Sequence, residues 1–239
     1  DQAGMAREAV KWDYELRNAE QVESVIDRIL SVIMSDPKGP AYLSLPREVL
    51  SMEIERFEYE SPSRVQPAAP AEPNTAALDE ASALLTSAEH PVIITNWAGR
   101  NSEVMPALSK LATDYAIPVV EYRNRYVAIP RTHKMYVGGN PNSYVARADV
   151  ILVIDAATPW LPSEVTPSED CKVIHIAPDP HYSFLPIRGF RADIAIACDS
   201  ALGLRSLNNA MSSHAKSGVF SRNKRRTAIE DAHMKLEDG

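Results

Sequence analysis

One candidate for ligand binding is the turn NWAGRN, residues 96–101, which follows an apolar, strand-like run. Gly99 would let the backbone approach a phosphate, and Arg100 beside it would supply a positive charge. A helix is predicted after this turn, and helix N-termini bind phosphate groups. A dinucleotide-binding turn carries several glycines, so an ordinary strand-to-helix turn is the interpretation we favour. Gly99 and Arg100 are retained as candidates for a nucleotide pocket.

Two aspartates follow predicted strands and are stronger candidates. Asp155 ends the run VILVID, and Asp179 follows VIHIAP. In open α/β sheets, ligands bind outside the carboxyl ends of the strands, where an aspartate can accept a ribose hydroxyl. An aspartate there can equally cap a helix or brace a loop. Both roles stay open for Asp179, whereas a structural role is predicted for Asp155.

The sequence shows no other catalytic or metal-binding motif. Its six histidines lack the H-x-x-x-H and H-E-x-x-H spacings, and G-x-S-x-G, P-loop and G-x-G-x-x-G motifs are absent. His175 alternates with apolar residues, which predicts a partly buried structural residue, while His181 is expected to be more exposed. Cys171 and Cys198 adjoin apolar runs and are predicted to be buried free thiols.

The candidates lie in a region of alternating helices and strands, residues 75–210. Strands are predicted near 91–95, 118–122, 149–156, 172–177 and 193–197, with helices near 75–88 and 102–117 and a short one within 141–148. Strands that are almost continuously Val and Ile are buried on both faces, as in a parallel sheet with helical crossovers. The predicted fold class is α/β, a doubly wound, mostly parallel, Rossmann-like domain.

The flanking regions have a different character. Residues 1–50 are predicted to be the last helix and strand of another α/β domain, with the helix stripe within 22–33 and the strand near 41–45. Residues 51–74 contain several prolines and are predicted to be a linker. Residues 211–239 are a polar tail, in which 221–237 is predicted to form an exposed helix with a basic cluster of Arg222, Lys224, Arg225 and Arg226.

Composition narrows the function classes. The net charge of −7 argues against nonspecific binding to nucleic acid or anionic membranes. No apolar run reaches the ~20 residues that a membrane-spanning helix needs. The first residues, DQAGMAREAV, do not resemble a signal peptide. The expectation is the interior of a longer cytoplasmic protein.

The segment GPAYLSLPREVL, residues 39–50, resembles the end of the pyrimidine-binding domain of thiamine-diphosphate enzymes of the acetolactate synthase group. That segment usually reads G-P-V-x-L-x-[LI]-P-x-D-[VL]. The matching residues are Gly39, Pro40, Leu43, Leu45, Pro46 and Val49, and Glu48 replaces the usual Asp. Upstream, Asp1, Gly4, Arg7 and Lys11 match the family's D-x-x-G-x-x-R-x-x-x-K.

Residues 90–207 are similar to the central domain of the same enzymes. The family's P-x-x-H-x-x-Y-x-G stretch is matched by Pro130, His133, Tyr136 and Gly138. The stretches ARADVILVIDA and KVIHIAPDP also resemble family segments. Two features differ: the turn at 96–100 has one glycine, and a strand that usually ends at Gly ends at Asp155. FAD, which some members bind in this domain, is therefore not assigned.

The resemblance implies a thiamine-diphosphate- and Mg²⁺-dependent enzyme that decarboxylates a 2-oxo acid and, in some members, transfers the resulting acyl unit. The family's catalytic Glu lies in the early pyrimidine-binding domain and its G-D-G…N motif in the third domain. Neither maps onto this sequence, so no catalytic or metal residue is assigned and the chain alone is expected to be inactive. A homodimer or homotetramer is implied for the whole enzyme. The alternative is a freestanding nucleotide-binding or scaffold module.

Overall fold

The computed structural model describes residues 2–61, 65–213 and 219–237. It contains two compact units, Asp1–Pro70 and Ala71–Gly239. The division falls within residues 51–74, for which the sequence predicts a linker. Pro62 of that stretch and residues 214–218 of the predicted tail lie outside the described residues. Among the described residues of 51–74, none belongs to a helix or strand, as expected for a Pro-rich stretch.

The first unit is small. Its strands and helices are β1 (Trp12–Glu15), α1 (Val22–Met34), β2 (Ala41–Ser44) and α2 (Arg47–Leu50). The predicted helix and strand are α1 and β2. Strand β1, which the sequence did not predict, pairs parallel with β2. The buried core consists of Leu16, Val25 and Val49.

Local side-chain bonds define both ends of α1. The Asn18 side chain accepts a hydrogen bond from the backbone N–H of Glu20, at 3.1 Å, just before the helix. At the other end, the Lys11 ammonium donates to the carbonyls of Val32 and Ser35, at 2.8 and 2.7 Å. A cation at a helix C-terminus satisfies carbonyls that the helix leaves unpaired.

The second unit contains one five-stranded parallel sheet. Its elements are α3 (Thr75–Ser87), β3 (Pro91–Thr95), α4 (Val104–Tyr115), β4 (Val119–Glu121), α5 (Asn142–Val145), β5 (Val150–Ile154), β6 (Lys172–Ala177), β7 (Ile194–Ala197), α6 (Ser200–Ser213) and α7 (Val219–Glu237). The strand order is β4-β3-β5-β6-β7, and every neighbouring pair is parallel. The predicted α/β fold class and the five strands are confirmed.

The order of the strands creates a switch point between β3 and β5, because successive connections leave these two strands in opposite directions. All residues of β3 and β5 are buried, as their apolar sequences predict. Helix α6 packs against both α3 and α4. The connections from β5 to β6 and from β6 to β7 contain no helix, although the pattern predicted interleaved helices.

Helix α7 corrects the prediction of an exposed basic helix. Ile229 and His233 on this helix are buried. The Arg225 guanidinium donates hydrogen bonds to the carbonyls of Ala88 and Tyr115, at 2.9 and 2.7 Å. The sequence predicts a solvated face for the basic cluster because its hydrogen-bond partners are distant in the chain. These partners lie at the C-terminal ends of α3 and α4, more than a hundred residues earlier.

Candidate functional site

The candidate site lies at the carboxyl ends of β3, β5 and β6, where the switch point opens a crevice in this type of sheet. Backbone hydrogen bonds tie the three strand ends together. The N–H of Trp97 donates to the carbonyl of Asp155 at 3.0 Å, and the N–H of Asp155 donates to Ile176 at 3.1 Å. The carboxyl ends of β3, β5 and β6 are therefore held against each other.

Arg100 and Asp155 face each other across the switch point. Arg100 ends a short 3-10 helix, Ala98–Arg100, and its guanidinium lies 3.8 Å from the Asp155 carboxylate. Asp155 is buried and has a φ of 47°, a left-handed conformation that is uncommon outside glycine. A strained residue at the end of a central strand is typical of a position fixed by its surroundings. The Arg100 side chain is 28% exposed and can still contact a ligand.

Tyr182, in the loop after β6, lies at the centre of these charges. Its ring is under the Arg188 guanidinium, with 4.9 Å between the guanidinium carbon and the ring centroid. Burial, assisted by the negative charge of Asp155, raises the pKa of Tyr182 far above its ordinary value. The phenol is therefore a protonated hydrogen-bond donor throughout the physiological pH range.

The Arg188 side chain lies beside the carboxyl end of β5. It donates to the carbonyls of Ala157 and Ala156, at 3.0 and 3.3 Å, and its terminal nitrogen lies 3.3 Å from Nδ1 of His175. Burial lowers the pKa of His175 to about 4, with the Arg188 charge as a further cause. His175 is thus a neutral structural residue, as predicted from its strand.

Asp179 braces the loop that carries Tyr182. Its carboxylate accepts hydrogen bonds from the backbone N–H and the hydroxyl of Ser183, both at 2.7 Å. Burial acts to raise the pKa of Asp179, but these bonds and further backbone N–H groups outweigh it, so the pKa is lowered. Of the two roles left open by the sequence, these contacts show loop bracing, and they leave contact with a ligand untested.

Gly99 has a packing reason to be glycine. A Cβ atom placed on it would lie 2.1 Å from the carbonyl oxygen of Val127 and 2.8 Å from the backbone nitrogen of Ala128. The close approach that glycine permits is therefore made to the chain's own backbone. This explains the residue without a phosphate.

The structure thus brings three of the four sequence candidates together around Tyr182. Charges from Arg100, Asp155 and Asp179 all act on Tyr182, whereas Gly99 packs against the segment at 127–128. Sequence reasoning missed Tyr182 and Arg188. The available signal was an Arg and aromatic residues in HYSFLPIRGF, directly after a predicted strand. A nucleotide at this edge stays a prediction.

Two polar atoms at the end of β3 have no hydrogen-bond partner within the described ranges. They are the buried hydroxyl oxygen of Thr95 and the side-chain oxygen of Asn96. Buried polar atoms are normally paired, so these two atoms are exceptions at the carboxyl edge of the sheet.

The described residues show neither a metal cluster nor a membrane segment. No three His, Cys, Asp or Glu side chains among them are placed to hold a metal ion together. Likewise, no helix in the part of the chain that the structure describes combines the length and apolar character needed to cross a membrane.

A five-stranded parallel sheet with a switch point defines an open α/β domain. Comparison with known families is more specific: the model for the thiamine pyrophosphate enzyme central domain matches residues 78–207, and the chain belongs to this family. The match covers the second unit's sheet, from α3 to the middle of α6.

Curated relatives are enzymes that this chain covers in part. Sulfoacetaldehyde acetyltransferase from Rhodobacter capsulatus is 31% identical over 163 residues, which are 64% of this chain and 26% of the relative. Oxalyl-CoA decarboxylase from Escherichia coli is 25% identical, over 67% of this chain and 29% of the relative. An acetolactate synthase large subunit from Mycobacterium tuberculosis is 28% identical, over 58% of this chain and 25% of the relative.

Solved structures confirm the fold. Benzoylformate decarboxylase from Polynucleobacter necessarius superposes with a TM-score of 0.68 at 21% identity, over 84% of this chain and 38% of that one. A thiamine diphosphate-dependent 4-hydroxybenzoylformate decarboxylase from Rhodococcus jostii RHA1 gives 0.69 at 20% identity, over 87% and 41%.

Proposed function

We propose that this chain supplies the central domain of a thiamine-diphosphate- and Mg²⁺-dependent enzyme that acts on 2-oxo acids by acetolactate synthase-like decarboxylation and carboligation. The match of the family's central domain to residues 78–207 carries the proposal. An acetolactate synthase large subunit among the relatives and benzoylformate decarboxylases among similar structures support the substrate class.

Within that enzyme, the role we assign to this chain is structural. The sequence has no G-D-G…N motif, and no residue in it matches the family's catalytic Glu. At the carboxyl edge of the sheet, Arg188 and Gly99 are already engaged with the chain's own carbonyls and backbone. This packing does not fit a dinucleotide cradle, so FAD forms no part of the proposal.

The isolated chain is accordingly proposed to be catalytically inactive. Thiamine diphosphate, when bound to the whole enzyme, would stabilise the carbanion that follows decarboxylation. We further propose that the whole enzyme is a cytoplasmic homodimer or homotetramer, as the sequence resemblance to thiamine-diphosphate enzymes implies.

A freestanding nucleotide-binding module is the second candidate. The observation that favours it is the pair of buried polar atoms on Thr95 and Asn96 that have no partner among the described residues, together with the partly exposed Arg100 at the same edge of the sheet. In contrast to the first proposal, it requires a ligand at the carboxyl edge of the isolated chain.

Calorimetric titration of the chain with FAD, ADP, NAD and CoA separates the two functions. The central-domain proposal predicts no micromolar binding that depends on Arg100. Micromolar binding of one nucleotide that is abolished in Arg100→Gln, but retained in the surface variant Arg205→Gln, would favour the module. Arg205 is a suitable control because it is a half-exposed arginine that pairs with Glu103 on the surface.

A further inference from the structure

A separate cavity lies at the opposite, amino edge of the same sheet. Its volume is about 650 Å³. Pro91 begins β3, Pro118 directly precedes β4, and both line the cavity floor. Helices α5 and α7 provide the walls. Cavities of several hundred Å³ are of the size that holds small organic ligands.

About half of the cavity lining is apolar. Val92 and Ile229 are buried, and Ala228 and Ala232 line the α7 side. Tyr144 of α5 adds an aromatic ring, and burial raises the pKa of its phenol. Such a lining suits the apolar body of a ligand.

The cations around the cavity differ in the number of hydrogen bonds that their side chains make. The Arg225 guanidinium donates hydrogen bonds to four backbone carbonyls, those of Ala88, Glu89, Tyr115 and Ala116. By contrast, the side chains of Arg147 and Lys224 make no hydrogen bond or ion pair with the described part of the chain. The Arg147 guanidinium lies over the Tyr144 ring, with its carbon 4.8 Å from the centroid.

Acidic groups nearby do not cancel these charges. The Asp149 carboxylate accepts hydrogen bonds from the backbone N–H groups of Glu89 and His90. Glu89 is an exposed residue on the rim. The three cations Arg147, Lys224 and Arg225 therefore outnumber the two carboxylates, those of Asp149 and Glu89, in a chain whose net charge is −7. A positive cavity on an acidic protein favours an anionic ligand.

We propose that this amino-edge cavity binds a small organic anion. Its apolar body lies on Tyr144 and the proline floor, and its phosphate or carboxylate group is held by Arg147 and Lys224. Guanidinium groups bind either anion with two hydrogen bonds, and the lysine ammonium adds a point charge. The site is distinct from the carboxyl-edge crevice, because all strands of the sheet are parallel and their amino ends share one edge.

Phenyl phosphate is a suitable probe, since it joins one aromatic ring to one phosphate group. Titration of the full chain by calorimetry should show saturable binding at submillimolar concentration. Inorganic phosphate should bind at least about tenfold more weakly because it leaves the apolar floor unused. Benzoate, titrated in parallel, tests whether the site prefers carboxylate or phosphate.

The double variant Arg147→Gln/Lys224→Gln should weaken phenyl phosphate binding at least about tenfold, since it removes both anion contacts. Its matched control is Lys110→Gln/Arg205→Gln, which removes two exposed cations outside the cavity and should leave binding unchanged. Tyr144→Leu should weaken phenyl phosphate but not inorganic phosphate. Thermal melts establish that each variant is folded.

Three results would overturn the proposal. The first is that neither phenyl phosphate nor benzoate binds at millimolar concentration. The second is that the double variant binds phenyl phosphate as well as the wild type does. The third is that phenyl phosphate and inorganic phosphate bind with equal affinity. The last result would indicate nonspecific anion binding at the surface.

Discussion

Arg225 makes the clearest prediction about stability. Its guanidinium donates to the carbonyls of Ala88 and Glu89, just after α3, at 2.9 and 3.1 Å. It also donates to those of Tyr115 and Ala116, at the end of α4, each at 2.7 Å. One side chain thus joins α7 to the negative ends of two helix dipoles. Burial lowers its pKa to about 10, so it stays charged at neutral pH.

Replacing it with methionine keeps the helix propensity and the apolar stem but removes all four bonds. A hydrogen bond to a buried group contributes about 1 kcal/mol net, and more when the donor is charged. The four bonds share one guanidinium and are not additive. Arg225→Met should therefore lower the free energy of unfolding by about 3 kcal/mol, a large fraction of the ~5–15 kcal/mol of a typical domain.

Urea unfolding followed by circular dichroism measures this change through linear extrapolation. Two neighbours are matched controls on the same helix. Arg226→Met removes one bond, to the Thr113 carbonyl, and should cost less than about 1 kcal/mol. Lys224→Met removes no bond to the described residues and should stay within about 0.5 kcal/mol of wild type. If Arg225→Met is no more destabilising than Arg226→Met, the docking of α7 through this residue is wrong.

Three other predictions follow from burial and packing. Gly99→Ala should lower the free energy of unfolding by about 3 kcal/mol, because its Cβ atom would lie 2.1 Å from a carbonyl oxygen. Gly189→Ala, which has open space around it, should be close to neutral in the same urea assay. Equal effects of the two variants would contradict the packing role of Gly99. His175 has a folded pKa of about 4 against an ordinary 6.5, so its contribution to stability is complete above pH 6.5, and about 3 kcal/mol is lost as the pH falls to 4. The urea midpoint should therefore fall over this pH range in the wild type and fall less in His175→Gln. Parallel curves for the two proteins would refute the assignment. Burial raises the pKa of Cys171 to about 11 and that of Cys198 to about 12. A thiol reagent at pH 8 should therefore label these cysteines only as fast as the chain unfolds. Immediate labelling would contradict their burial.

Much of the fold could be predicted because the relevant signal is local. The continuous Val and Ile runs of β3 and β5 are buried on both faces as their sequences predict. Strand β1 was missed because WDYE is short and half polar, and it is a strand only through pairing with Ala41–Ser44. Its structure depends on a partner almost thirty residues away, which local periodicity does not reveal.

The candidate site was predicted in part for the same reason. Asp155 ends one predicted strand and Arg100 lies in the turn after another, so the fold class places both at the carboxyl edge. Tyr182 and Arg188 belong to a loop whose path is set by tertiary packing, including the contact of Arg188 with the carbonyls after β5. The basic residues of α7 were interpreted as solvated because their carbonyl partners are distant in sequence.

Turnover by the chain itself tests the central claim most directly. Purified chain is incubated with thiamine diphosphate, Mg²⁺ and pyruvate, and CO₂ release is measured beside a complete acetolactate synthase as the positive control. A structural central domain predicts release equal to that of a sample without protein. Release that requires both the chain and thiamine diphosphate would show that these residues contain a working active site, and would contradict the account.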